Sequence, residues 1–303
     1  IGDAKGEHGL REAIRDYLHH ARGVNCRTEQ IIVGAGNDYL LMLLSVILGR
    51  GHKVAMENPT YISAYRCFVK LGYAMCTISM DEAGMRPAEL EKSGADLAYI
   101  MPSHQFPMGM VMPMKRRMQL LAWASRESGR YLIEDDYDSE FRYKGRPIPA
   151  LQGNDTEGKV IYLGTFSRAI APSIRISYMV LPEQLLPAWH AKYALYSGTV
   201  SRFEQQTLAR FITGGYFTRH LARERVAYKA RRDALTKALR EAFAPEELHL
   251  TGLHTGLHLL AELRDPPPDD ALRAAAEAEG VRLSLLSDYD LTGGGAALGG
   301  TLV

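Results

Sequence analysis

Over residues 1–190, short apolar runs alternate with amphipathic stretches, and each apolar run ends in a loop of glycine, proline or acid. "QIIVGAGNDYLLMLLSVILGRG" reads as a strand, a glycine turn and a buried helix. "ADLAYIMPSHQFPMG" reads as a buried strand entering a proline-rich loop. "MKRRMQLLAWASRESG" is a helix, and "RYLIEDDYD" and "KVIYLGTFS" are strands ending in polar residues. A chain that repeats strand and helix in this way folds as α/β, with a large mixed, mostly parallel sheet flanked by helices. Ahead of these runs, "GLREAIRDYLHHARG" spaces Leu10, Ile14 and Leu18 by four, which predicts an amphipathic helix stopped near Gly23.

The pattern then changes. From Gln184 to Phe243 it is helical. "LHLTGLHTGLHLLAEL" and "DDALRAAAEAEGVRLSLL" read as strand, helix and strand. The expected organisation is a large ligand-binding domain over 1–190, interdomain helices over 191–243 and a smaller α+β domain, incomplete, over 244–303. The first residues read as an ordered turn and "GGTLV" as a strand just beginning, which predicts a piece of a longer protein.

Composition narrows the classes of function. A formal charge of +1 on 303 residues creates no global field toward nucleic acid or an anionic membrane. The acids Glu224, Asp233 and Glu241 also interrupt the basic helix near residue 230. The apolar run from Tyr39 to Leu48 is too short to span a bilayer, and no signal peptide is visible. Cys26, Cys67 and Cys76 are odd in number and lack metal-type spacing, which fits a reducing cytoplasmic setting.

Ligands of open α/β sheets bind at the carboxyl ends of the strands, so the loops there carry the function. In "VGAGND", backbone N–H groups from Ala35, Gly36 and Asn37 can cradle a phosphate at a helix N-terminus. A plain tight turn explains the motif equally well. A dinucleotide fingerprint does not, because Tyr39 occupies the third glycine position. "LIEDDYDSEF" clusters acids around Tyr137. They suit a divalent metal, a solvated strand end, or one buried carboxylate paired with a protonated ring nitrogen. Tyr137, two residues beyond Asp135, points to the same side of an extended strand.

In "GTFSRAIAPSIR", Thr165 and Ser167 offer hydroxyls on alternate residues, and Arg175 offers a forked cation suited to phosphate. Tyr61 lies on a loop where its face can stack on a flat ring, unless it is simply packed in the core. His104 and Gln105 can reach a ligand's polar edge, although a lone loop histidine usually holds structure. The ten histidines suggest no zinc set, and neither a nucleophile elbow nor a Cys-His pair suggests hydrolysis.

Together the phrases "PSHQFPMG", "IEDDYDSEFRYKGRPIPALQG", "YLGTFSRAIAPSIRISYMVLP" and "ARFITGGYFTRHLARERVAYKARRD" resemble fold-type-I pyridoxal-phosphate proteins. The resemblance is to the aminotransferase-like domain of MocR/GabR-type regulators of the GntR class. It implies that Asp135 meets the pyridine nitrogen, Tyr137 the ring hydroxyl and Tyr61 the ring face. Thr165, Ser167, Arg175 and the "GAGN" turn would receive the phosphate. It further implies a homodimer, an amino compound or amino acid as second ligand, and DNA contact only through a module absent from this chain.

The resemblance also implies a lysine where this chain has Arg168, and the chain has Ser63 where some members place a substrate-directed arginine. A Schiff-base lysine must give up its proton to attack an aldehyde and must then shuttle a proton between carbons. A guanidinium does neither. The expectation is therefore non-covalent cofactor binding with transamination weak or absent. The other reading is a free-standing amino-acid aminotransferase in which Arg168 is an introduced substitution or an impairment.

Overall fold

The computed structural model describes residues 2–145, 148–193, 196–293 and 298–303. Its centre is an eight-stranded sheet formed by β1 (Ile31–Gly34), β2 (Lys53–Asn58), β3 (Ala74–Asp81), β4 (Gly84–Met85), β5 (Leu97–Ile100), β6 (Tyr131–Asp136), β7 (Val160–Thr165) and β8 (Ser177–Val180). The strand order is β1-β8-β7-β6-β5-β2-β3-β4. The β7-β6-β5-β2-β3 block is parallel, while β8, β1 and β4 add antiparallel edges. The "SYMV" strand, β8, follows the "GTFSRAIAPSIR" loop, and its antiparallel pairing with β1 was not foreseen.

Side chains alternate across the sheet with the period of two that a strand imposes. Val54, Met56, Tyr99, Ile133, Ile161 and Leu163 face one core, under α2 (Asn37–Leu48), α3 (Ile62–Lys70) and α6 (Leu186–Tyr193). Their neighbours Ala55, Ala98, Ile100, Leu132 and Val160 face the other side, where Leu90 of α4 (Pro87–Lys92) and Leu120, Leu121 and Trp123 of α5 (Met114–Ser125) cover them. The predicted first helix is α1 (His8–Arg22), capped by Gly23 in the left-handed conformation (φ 64°). Leu10, Ile14 and Leu18 are fully buried, each contributing about 1.5–3 kcal/mol of apolar burial. They pack beside α7 (Arg202–Thr213) and the first turns of α8 (Tyr216–Ala242), over β1, β7 and β8.

Beyond α8, β9 (Leu248–Thr251), β10 (Leu260–Leu263) and β11 (Thr301–Leu302) form an antiparallel sheet in the order β11-β10-β9, with α9 (Asp269–Ala278) following β10. "VRLSLL" is not the strand expected of it. Leu285 makes an isolated bridge to Leu302, and the Asp288 carboxylate then accepts the Leu285 N–H at 3.0 Å, turning the chain into a 3-10 helix over Leu286–Tyr289. The part of the expected helical stretch at Ala194 and Leu195 lies outside the described residues, as do Arg146 and Pro147 of the "GRPIP" phrase.

Candidate functional site

At the carboxyl ends of β6 and β7 lies a cavity of about 350 Å³. Strand periodicity decides which acid of "EDDYD" faces it. Ile133, Asp135 and Tyr137 continue one face of β6, and Asp135 and Tyr137 line the cavity. Asp136 points the opposite way. Its Oδ2 accepts Arg22 Nε at 2.7 Å and the Tyr162 hydroxyl at 2.6 Å, joining α1 to the sheet in a buried ion pair. Glu134 accepts the backbone N–H groups of Leu151 and Gln152, each at 2.8 Å. Asp138 turns to His104. The four carboxylates therefore turn to four separate sets of partners.

Asp135 is 6% exposed, and its Oδ2 accepts the hydroxyl of Tyr99 and the Asn37 side-chain amide at 3.3 Å. Burial pushes its carboxyl up to about 7, with Asp136 and Asp138 adding to the rise and the Tyr99 hydrogen bond opposing it. A cation placed against this carboxyl would favour the ionised form. Tyr99 was not singled out, because "LAYI" reads only as a buried strand.

A second part of the cavity wall, in the loop after β7, carries hydroxyls and cations. Thr165, Ser167, Arg168 and Arg175 line it, together with Pro172 and Ser177. Thr165 Oγ1 accepts the Ser177 hydroxyl at 2.9 Å and the Ser167 N–H at 3.1 Å, which shapes the turn. Ser167 Oγ is buried with no partner among the described residues. Arg175 adopts a left-handed backbone (φ 47°), and its guanidinium lies over Gly36, where a Cβ would come within 2.3 Å of Nη2. Gly36 takes a backbone conformation (φ 96°) that L side chains rarely adopt, and its missing Cβ leaves room for the guanidinium. Arg168 is exposed at the cavity wall.

In the "GAGN" turn two of the three backbone donors are engaged within the protein. The N–H of Ala35 donates to Thr199 Oγ1 at 3.2 Å and that of Gly36 to the Gly34 carbonyl at 2.9 Å. Asn37, the first residue of α2, does line the cavity, with Asp38 beside it. Tyr61 lines it as well and meets Phe106 edge-on, their ring centroids 6.0 Å apart. Gln105 turns away from the cavity. Its amide donates to the Pro59 carbonyl at 3.0 Å and accepts the Met108 N–H at 2.8 Å, fastening two loops together. His104 stands behind Tyr137 rather than in the wall, with Nδ1 3.1 Å from the Tyr137 hydroxyl and 2.9 Å from Asp138. Folding brings His258 to His104 and Asp138, with ligand-type atoms of the three within 4.8 Å of one another. The histidine spacing gave no sign of that grouping.

Among the described residues no helix is long and apolar enough to cross a membrane.

The family model described as "Aminotransferase class I and II" matches residues 1–289. Two relatives from Bacillus subtilis, the uncharacterized HTH-type transcriptional regulators YdeL and YhdI, are 39% and 41% identical over 93% of this chain and 60% of their own length. The probable rhizopine catabolism regulatory protein MocR of Rhizobium meliloti is 35% identical over 93% of the chain and 57% of its length. This chain thus spans about 60% of the length of the curated relatives it matches. Among solved structures, the kynurenine aminotransferase of Pyrococcus horikoshii, in complex with PMP, has a TM-score of 0.83 at 29% identity, covering 99% of this chain and 76% of that one. These matches confirm the expected α/β, fold-type-I architecture and the resemblance to the aminotransferase-like part of MocR-type regulators. The chain belongs to the aminotransferase class I and II family.

Proposed function

We propose that this chain is the ligand-sensing part of a MocR-type transcription regulator and that it binds pyridoxal 5'-phosphate without a covalent tether. The observation supporting this reading is one cavity lined both by a buried acid, Asp135, and by Arg168, Arg175 and a Ser167 hydroxyl that has no partner among the described residues. The residues suit the cofactor. Asp135 would hold the pyridine nitrogen, Tyr137 the ring hydroxyl and Tyr61 a ring face, while Thr165, Ser167 and Arg175 would hold the phosphate. When bound, the cofactor supplies an electron-withdrawing ring and an aldehyde carbon. Arg168 offers that carbon no nucleophile and no base, since a guanidinium keeps its proton and delocalises its lone pairs. Its charge instead suits the carboxylate of an amino acid joining the cofactor in the cavity. In the whole protein, DNA would be read by a helix-turn-helix module. Relatives named as HTH-type regulators, which this chain covers only in part, support that view. A cytoplasmic homodimer fits such a regulator.

A second reading, a free-standing aminotransferase, is favoured by 30% identity to aromatic-amino-acid aminotransferase 1 of Thermococcus litoralis over 92% of the chain. Titration with pyridoxal 5'-phosphate, followed by borohydride reduction and peptide mass mapping, tests the proposal. The expected result is saturable binding with no pyridoxyl group on Arg168 or on any lysine. Sustained keto-acid production from an amino donor would instead establish the enzyme.

A further inference from the structure

His104 lies outside the cavity wall, yet its ring determines which way the Tyr137 hydroxyl faces. His104 is 1% exposed, and its Nδ1 is 2.9 and 3.1 Å from the two oxygens of Asp138 and 3.1 Å from the Tyr137 hydroxyl. Nδ1 carries at most one hydrogen. Asp138 Oδ2 also receives the Leu257 N–H at 3.2 Å, so this carboxylate acts as an acceptor toward two N–H groups. The hydrogen on His104 therefore sits on Nδ1. Nε2 is buried with no partner among the described residues, and a hydrogen placed there would be stranded without an acceptor. With Nδ1 as donor, the Tyr137 oxygen can only accept from it. The phenolic hydrogen is then not drawn back to His104 and is left for the cavity. Were Nδ1 bare, Tyr137 would donate backward to it and present only lone pairs to a ligand.

We propose that His104, fixed as its Nδ1–H tautomer by Asp138, is a positioning residue that turns Tyr137 into a hydrogen-bond donor toward an anionic ring oxygen in the cavity. This rests on the pyridoxal-phosphate reading above, and it specifies the ionisation state of the ligand that the site selects. Burial supports the donor role by holding the Tyr137 hydroxyl well above its ordinary value. The C-terminal sheet region completes the arrangement. His258, between β9 and β10, packs its ring 4.6 Å from that of His104 and contacts the Pro107 carbonyl through Nε2 at 3.1 Å, which places its own hydrogen on Nε2. Burial lowers His258 to about 4, so no imidazolium from His258 competes for Asp138 near neutral pH. Gly256 makes the approach possible, since a Cβ there would lie 1.8 Å from His104 Cε1. The orientation of Tyr137 is thus tied to docking of residues 256–258.

The test compares pyridoxal 5'-phosphate with its analogue lacking the ring hydroxyl, taking the ratio of their affinities in each protein. His104→Leu and Asp138→Asn are expected to lower the ratio about tenfold or more, the range for a hydrogen bond to a charged group. His104→Asn, which keeps an N–H near the Nδ1 position, should hold the ratio within a few-fold of the unaltered protein. Nitrogen NMR of the unaltered protein should show His104 protonated on Nδ1 and bare on Nε2, a measurement that needs no variant to fold. An equal loss for both ligands in the His104→Leu and Asp138→Asn proteins, or a proton found on Nε2, overturns the proposal. Failure of the unaltered protein to bind either ligand overturns the functional reading as well, whereas binding with an unchanged ratio overturns this inference alone.

Discussion

The two ends of the cavity differ in how far the protein has already satisfied them. At the acid end, Asp135 accepts hydrogen bonds from Tyr99 and Asn37, and Tyr137 is braced by His104. At the anion end, Ser167 Oγ has no partner among the described residues, and Arg168 and Arg175 are exposed cations. A pre-paired carboxyl confers geometry and selectivity, because the ligand must fit a network that is already fixed. Unpaired donors confer affinity, because their hydrogen bonds are gained only on binding. The anion end should therefore dominate binding energy, and the acid end should dominate the choice of ring and its protonation.

The largest effect expected from altering this contrast comes at Arg168. Arg168→Lys restores a side chain that can act as nucleophile and base, and should raise transamination by about 100-fold or more. The same variant should become reducibly linked to pyridoxal 5'-phosphate by borohydride. If the peptide carrying the substitution stays untagged and turnover is unchanged, this position does not face the aldehyde carbon. Next in size is Arg175→Ala, which removes a forked cation from the anion end. Loss of one or two charge-assisted hydrogen bonds predicts about 10–100-fold weaker binding of pyridoxal 5'-phosphate by calorimetry, with little change for unphosphorylated pyridoxal. Equal losses for the two ligands would remove the distinction between the ends.

At the acid end, Asp135→Asn should cost about tenfold in affinity near neutral pH, where a ligand cation draws the carboxyl into its ionised form. The ligand-free protein has a pH signature as well. The carboxyl is raised from 3.8 to about 7 on folding, so between those values the folded state holds a proton that the unfolded state has released. Stability must then fall as pH rises through that window. The penalty is absent below about 4, grows between about 4 and 7, and is complete above. Glu57, Glu134 and Glu140, each also raised to about 7 by burial, contribute in the same direction. Thermal unfolding of the ligand-free protein from pH 5 to pH 8 should show falling Tm, a shallower slope in Asp135→Asn, and a shallower slope again with ligand present.

Much of this site was legible before folding, because its residues sit where a parallel sheet places them. The period of two along "LIEDDYD" put Asp135 and Tyr137 on one side, and the loop after "KVIYLG" supplied hydroxyls and a cation. What was hidden depends on distance in three dimensions. Tyr99 is an ordinary member of an apolar strand until β5 lies beside β6 and its hydroxyl meets Asp135. His258 lies 154 positions from His104, and no local pattern pairs them. In the "GAGN" turn the glycines suggested a backbone cradle, and the sequence did not show that the N–H groups of Ala35 and Gly36 already have partners or that Gly36 leaves room for Arg175. The "VRLSLL" run carried strand-like residues, but the Asp288 side chain offered the backbone a turn instead.

The smallest effect, and the one with opposite signs, is expected at Ser167. Its hydroxyl is buried without a partner among the described residues, so the ligand-free protein bears a desolvation cost with no hydrogen bond from them in return. Replacing it with alanine removes that cost and leaves the turn, which is held by the Ser167 backbone N–H donating to Thr165 Oγ1 at 3.1 Å. Ser167→Ala should therefore be as stable as the unaltered protein or up to about 1 kcal/mol more stable. It should also bind pyridoxal 5'-phosphate about tenfold more weakly, since one hydrogen bond from an uncharged donor to the charged phosphate is lost. Denaturant unfolding and calorimetry on the same preparation would read both signs. A variant that loses stability without losing affinity would mean that the hydroxyl serves the fold, and the anion end would then be no less pre-satisfied than the acid end.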